Sequence, residues 1–122
     1  MLTPNINFIY TKFKVKIMKI RYQNKEINVI ECKSFYTRFK GFMGKTNINH
    51  ALLFNHCNSV HTFFMKENID IIFCNKENII VSYFKNISPN KVILPQKHAT
   101  KTIELPPNYY SLEIGKRLEI KR

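Results

Sequence analysis

At 122 residues and 14.6 kDa the chain is one domain's worth of sequence, long enough to close a single core. A hydrophobic content of 44% excludes a disordered polar tail despite a net charge of +12. No apolar run approaches the roughly 18 residues of a membrane-spanning helix.

Lysine supplies 16 of the 20 cations, and Ile, Lys and Asn together supply 47 of the 122 residues. That bias follows A/T-rich codons better than it follows a phosphate-binding surface, where the planar fork of arginine is the usual choice. Cys32, Cys57 and Cys74 form an odd set without CxxC spacing. They argue against a disulfide framework or a zinc ribbon and point to a reducing, cytoplasmic home.

The first residues carry no signal peptide, because Lys12, Lys14 and Lys16 follow the short apolar stretch rather than precede it. Phe13, Val15 and Ile17 alternate with lysine, and Met18, Ile20 and Tyr22 then alternate in the opposite phase. Such a phase flip marks a bulge, a break or the junction between an added tail and the first strand, and the expected division is a basic extension, 1–17, and a domain, 18–122, that reads naturally from Met18. Gln23-Asn24-Lys25 reads as a turn into a second strand, Ile27 to Ile30, so the first pair is a hairpin.

Ser34 can cap a helix over about 35–43, whose Phe35, Phe39, Phe42 and Met43 fall on one face. Gly44 stands where a left-handed cap would close it, and Gly41 inside it marks close backbone packing. Strands follow at Ala51 to Phe54 and Val60 to Met65. Ile69 to Cys74 and Ile79 to Phe84 form a hairpin around Asn75-Lys76-Glu77-Asn78. Val92 to Leu94, Thr100 to Leu105, Tyr109 to Leu112 and Leu118 to Ile120 complete the set. Many short strands and one helix predict a mainly β single domain, a compact β-sandwich or barrel-like fold.

The densest chemistry lies between Cys57 and Cys74. On a strand from Ser59 to Lys66, His61 shares a face with Phe63 and Met65, an environment of core or cleft. His61 and Asp70 could serve as an acid–base pair, although Asp70 at a strand entrance is more simply a cap for backbone N–H groups. Arg38, opposite the Phe stripe, can pair with an acid or bind an anion. Glu104 reads as an outward strand residue. Cys74, in an Ile-Ile-Phe-Cys run, is expected to be a small buried hydrophobe. No metal site, phosphate loop or cofactor motif is indicated.

The runs Arg38-Phe39-Lys40-Gly41-Phe42-Met43-Gly44-Lys45, Ala51-Leu52-Leu53-Phe54, Cys57 to Met65 and Ile69-Asp70-Ile71-Ile72-Phe73 resemble the bacterial and archaeal family called domain of unknown function 192. Ile103-Glu104-Leu105-Pro106-Pro107 and Ile114-Gly115-Lys116-Arg117-Leu118 are similar to its closing segments. The resemblance spans about 30–120, and His61-Thr62-Phe63-Phe64-Met65 is its most specific part. It implies a small, mainly β domain with a short helix and no established activity, cofactor or substrate. Neighbouring pilus or secretion genes in some relatives hint at an accessory role. The chain departs from the family at Lys66-Glu67-Asn68, at Asn108 and at Lys116, where relatives carry Arg-Phe-Pro, glycine and an acid.

The sequence therefore predicts a soluble bacterial binding or accessory module, with Arg38, His61, Thr62 and Asp70 as its candidate ligand site. The partner would be a small ligand or a protein. The alternatives are a hydrolase-like or carbohydrate-acting enzyme using His61 and Asp70, and a binder of nucleic acid or an anionic surface through the lysine-rich N-terminus.

Overall fold

A computed structural model describes residues 17–122, apart from the side chains of Phe35 and Tyr36. The expected extension over 1–17 therefore lies, but for Ile17, outside the described residues, as do Phe13 and Val15.

Strands β1 (Ile17–Tyr22) and β2 (Lys25–Glu31) form the expected antiparallel hairpin, with Ile20 opposite Ile27. Alternation decides its faces: Met18, Ile20 and Tyr22 are buried, whereas Lys19 and Arg21 are exposed. Strand β3 (Ala51–Asn55) then lies parallel to β2, with Val29 opposite Ala51. Parallel neighbours cannot be joined by a tight turn, so the chain crosses over through residues 32–50.

Helix α1 (Phe35–Lys40) occupies that crossover. Ser34 caps it, its Oγ accepting the Thr37 N–H at 3.1 Å. The helix is shorter than the periodicity implied. It stops at Gly41, whose φ of 48° and ψ of −128° suit glycine alone, and Gly44 shapes the next turn instead. The Phe stripe is consequently divided: Phe42, beyond the helix end, is buried, and Phe39 is 58% exposed.

Strands β5 (Ile69–Cys74) and β6 (Ile80–Ile87) form the second expected hairpin, its turn fixed by the Asn75 side chain accepting the N–H groups of Glu77 and Ile79. Strand β8 (Lys101–Leu105) inserts between β3 and β5. With β9 (Glu119–Lys121) the main sheet runs β6-β5-β8-β3-β2-β1-β9. Its two edges approach each other, because the Ile80 N–H donates to Lys116 O and the Gly115 N–H to Ile80 O, both at 2.8 Å. The sheet is thus a curled half-barrel, within the mainly β class that the short strands implied.

Beside it, β4 (Val60–His61) and β7 (Val92–Ile93) make a two-stranded ribbon. The anticipated strand from Val60 to Met65 ends at His61, since the chain turns and Phe64 takes a φ of 61°. Tyr109 to Leu112 is no strand either; the Tyr110 ring enters the core and its hydroxyl donates to Lys25 O at 2.9 Å.

The sheet carries a core on each face. One holds Ile20, Val29, Leu53, Ile72, Ile103 and Leu118, and Cys74 is buried there as expected. The other holds Phe42, Phe54, Met65, Ile71 and Phe73, with Val60 and Ile93 of the ribbon packed against it. Central strands β5 and β8 are therefore covered on both sides, and Asp70, Thr102 and Glu104 within them are buried although they point to different faces.

Candidate functional site

Along β8, Ile103 and Leu105 belong to the first core, so Thr102 and Glu104 face the second. Glu104 is flanked by Leu52 and Ile71 across the sheet and is only 3% exposed. This corrects the expectation of an outward residue: the covering elements come from the β2–β3 crossover and the ribbon, which the local alternation of β8 does not report. The carboxyl accepts the Phe42 backbone N–H, and Oε1 is the one buried side-chain oxygen or nitrogen without a partner among the described residues. Burial pushes its pKa up to about 8 despite the opposing effect of the Phe42 N–H. At neutral pH Glu104 is thus mostly a neutral acid, able to donate from the oxygen that the backbone does not occupy.

Above this carboxyl opens a cleft of about 280 Å³, lined by Arg38, Phe39, Gly41, Val60, His61 and Met65 among others. Gly41 keeps it open, because a Cβ there would stand 3.0 Å from Oε1 of Glu104. Arg38 reaches from α1 and donates to Asn55 O at 2.7 Å and His56 O at 3.5 Å, fastening the helix to the end of β3. His61, at the end of β4, lies between Phe39 and Phe63, with ring centroids 5.7 and 5.1 Å away. Its Nδ1 accepts the Phe63 N–H at 3.2 Å, which leaves the proton of the neutral ring on Nε2.

The structure therefore brings two of the four anticipated residues, Arg38 and His61, to one cleft. Thr62 is fully buried beneath the ribbon, where its hydroxyl accepts the Lys91 N–H and donates to Ser88 O, both at 2.8 Å. Asp70 points to the opposite face of the sheet. It is buried there, accepting from Asn86 N at 2.7 Å, Asn108 N at 3.0 Å and the Tyr83 hydroxyl at 3.1 Å. It binds backbone N–H groups, as the simpler reading had it, and forms no acid–base pair with His61. The acid sharing the cleft with His61 is Glu104.

The two buried thiols are poor nucleophiles. Burial, and then Glu104, push Cys32 up to about 12, and burial pushes Cys74 to about 12 as well. No cluster of three or more His, Cys, Asp or Glu among the described residues could hold a metal ion. No described helix is long and apolar enough to cross a membrane.

A curled half-barrel with a crossover helix, and a cleft over a buried carboxylic acid, define a small mainly β domain. The chain belongs to the domain of unknown function 192 family, described as "Uncharacterized ACR", whose model matches residues 16–120. It is 34% identical over 95 residues to a "UPF0127 protein" of Thermococcus sibiricus, an alignment covering 70% of this chain and 61% of that one. A UPF0127 protein of Thermococcus gammatolerans is 37% identical over 79 residues, covering 60% and 51%. The chain thus spans between half and two thirds of these archaeal relatives' lengths. Among solved structures, a putative transcription regulator from Sinorhizobium meliloti superposes with a TM-score of 0.72 at 16% identity, covering 86% of this chain and 94% of that one. A protein of unknown function from Novosphingobium aromaticivorans gives 0.68 at 13% identity, covering 86% and 84%. At these identities the likeness is one of fold.

Proposed function

We propose that this domain is a binding module for a small ligand, held in the cleft of Arg38, Phe39, His61 and Glu104. One observation carries the reading: the unpartnered Oε1 of Glu104, buried at the foot of an open cleft. A buried polar atom without a partner costs about 1–3 kcal/mol, so a fold that keeps one beside a cavity is arranged for something that binds there. The cleft is at the lower end of ligand-pocket volumes, a size for one ring or a short chain. The cysteines, two of them buried thiols, suit the reducing cytoplasm that this reading assumes.

Thermal unfolding against a panel of sugars, nucleotides, small acids, amines and amides tests the reading. A compound at 100 times its dissociation constant raises stability by about 2.7 kcal/mol. The wild type should respond, and His61→Ala and Glu104→Leu should respond less. A panel that leaves the wild type unmoved counts against the module.

The raised pKa of Glu104 favours a second reading, in which the same cleft supports acid catalysis with Glu104 in place of Asp70. Turnover of a bound compound, lost in Glu104→Gln with binding retained, would distinguish it from simple binding. An accessory role in pilus or secretion assembly rests on family resemblance, and its natural surface is the exposed apolar ridge of Phe39, Phe63, Phe64, Val92 and Leu94.

A further inference from the structure

Three polar side chains of the cleft share one property. Oε1 of Glu104 is the oxygen left to carry the proton when the carboxyl is neutral, Nε2 of His61 carries the proton of the neutral ring, and the Arg38 guanidinium has donors only. All three are therefore hydrogen-bond donors, and the cationic Arg38 stands among them. No ionised acid lines the cavity while Glu104 holds its proton. Phe39, Phe54, Val60 and Met65 make the rest of the lining largely apolar, while Lys40 adds a second cation and Ser59 a hydroxyl. A surface of this kind complements an oxyanion on a flat apolar body and opposes an amine.

We propose that the cleft binds a small carboxylate, one oxygen of which accepts the proton of Glu104 while His61 and Arg38 serve the other. The proposal rests on the small-ligand reading above and deepens it by naming the ligand's charge and shape. An anionic ligand reinforces the protonated state of Glu104, because two carboxylates at contact distance share a proton rather than both ionise. Binding is therefore coupled to proton retention and fails as Glu104 ionises. The other titratable or charged groups packed around Glu104 are Glu31 and Cys32 at the end of β2, Arg38 and Lys40 on α1, and Cys57 and His61 on the ribbon side. Glu31 is held by the Asn55 amide at 2.6 Å, and the Cys32 thiol stays protonated across the working range.

Three probes of one size and different charge decide the matter: benzoate, benzamide and benzylamine, titrated calorimetrically at pH 7 to about 5 mM. Benzoate should bind, benzamide should bind at least about tenfold more weakly, and benzylamine should give no heat. Benzoate affinity should fall by up to about tenfold per pH unit above pH 8. In Glu104→Gln the side-chain oxygen can accept from Phe42 and the amide can still donate, so benzoate binding should persist and lose that pH dependence. Benzamide or benzylamine binding as tightly as benzoate would overturn the carboxylate assignment and leave the ligand site standing. Silence of all three probes with a folded protein overturns the assignment too, and the broader panel then judges the site itself. A pH dependence unchanged in Glu104→Gln would remove Glu104 from the interaction.

Discussion

Gly41 and Glu104 are held in register so that the hydrogen in place of a side chain on one leaves room for the carboxyl of the other. A Cβ on Gly41 would come within 3.0 Å of Oε1 and 3.6 Å of Oε2, at a backbone φ of 48° that side chains rarely adopt. The glycine that ends the helix is thus also the lintel of the cleft. Gly41→Ala combines backbone strain with a contact against a buried carboxyl, and should cost about 1–3 kcal/mol in chemical denaturation. Gly44→Ala meets nothing within 4 Å, though its φ of 72° carries the strain alone, so it should cost less. Equal losses would mean that the Glu104 contact contributes nothing.

Glu104 should make the protein less stable as pH rises. Its carboxyl titrates near 4.5 when unfolded and near 8 when folded. The folded state therefore holds the proton more tightly, and its advantage is full below pH 4.5 and lost as pH rises to 8. The loss is on the order of 3–5 kcal/mol. Glu104→Gln should abolish that slope and be the more stable protein at pH 8, read from urea midpoints at each pH.

His50 should supply the opposite slope. It is buried beside Phe42, its Nδ1 bonded to the Asn49 side chain at 3.0 Å. Burial, and secondarily Lys45, push its pKa down to about 4 from 6.5. Here the unfolded chain binds the proton better, so the stability present above pH 6.5 is lost as pH falls towards 4, by about 3 kcal/mol. Between pH 4.5 and 6.5 the two slopes have opposite signs and similar size. The wild type should look nearly pH-independent there, His50→Gln should lose stability with rising pH, and Glu104→Gln should lose it with falling pH. Three parallel curves would refute both assignments.

These residues also mark what the sequence could and could not convey. The hairpins β1–β2 and β5–β6 are legible because alternation and Asn-rich turns are local properties, as Ile20 against Ile27 and the Asn75 turn illustrate. Glu104 is not legible: in Thr102-Ile103-Glu104-Leu105 the alternation looks like a half-exposed strand. Its burial depends on a parallel β2–β3 pairing that throws α1 across that face, and no local pattern announces a crossover. Arg38 and His61 could be singled out as polar groups among aromatics. Thr62 and Asp70 carry the same signature, yet a one-residue change of face on a short strand sends a side chain into the core instead of the cleft. The signal that could have found Glu104 is the lone glycine of Phe39-Lys40-Gly41-Phe42, once read as space kept for a neighbour.

Asp70 offers the last test, because every hydrogen bond its carboxylate makes is internal to the fold. Its two oxygens take backbone N–H groups from Asn86 and Asn108, which lie 16 and 38 residues away, together with the Tyr83 hydroxyl, itself bonded to Tyr110 O at 2.8 Å. One carboxylate thereby ties β5, β6 and the segment after β8 together from inside the protein. Asp70→Ala strands two buried donors and should cost about 3–5 kcal/mol. Asp70→Asn should lose nearly as much, because only one side of an amide accepts and its NH₂ group would face an N–H. Neither variant touches the cleft on the other face of the sheet. At temperatures where they stay folded, any probe that binds the wild type should bind them with affinity unchanged within about twofold. A selective loss of binding in Asp70→Asn, with its fold intact by circular dichroism, would return Asp70 to the ligand site.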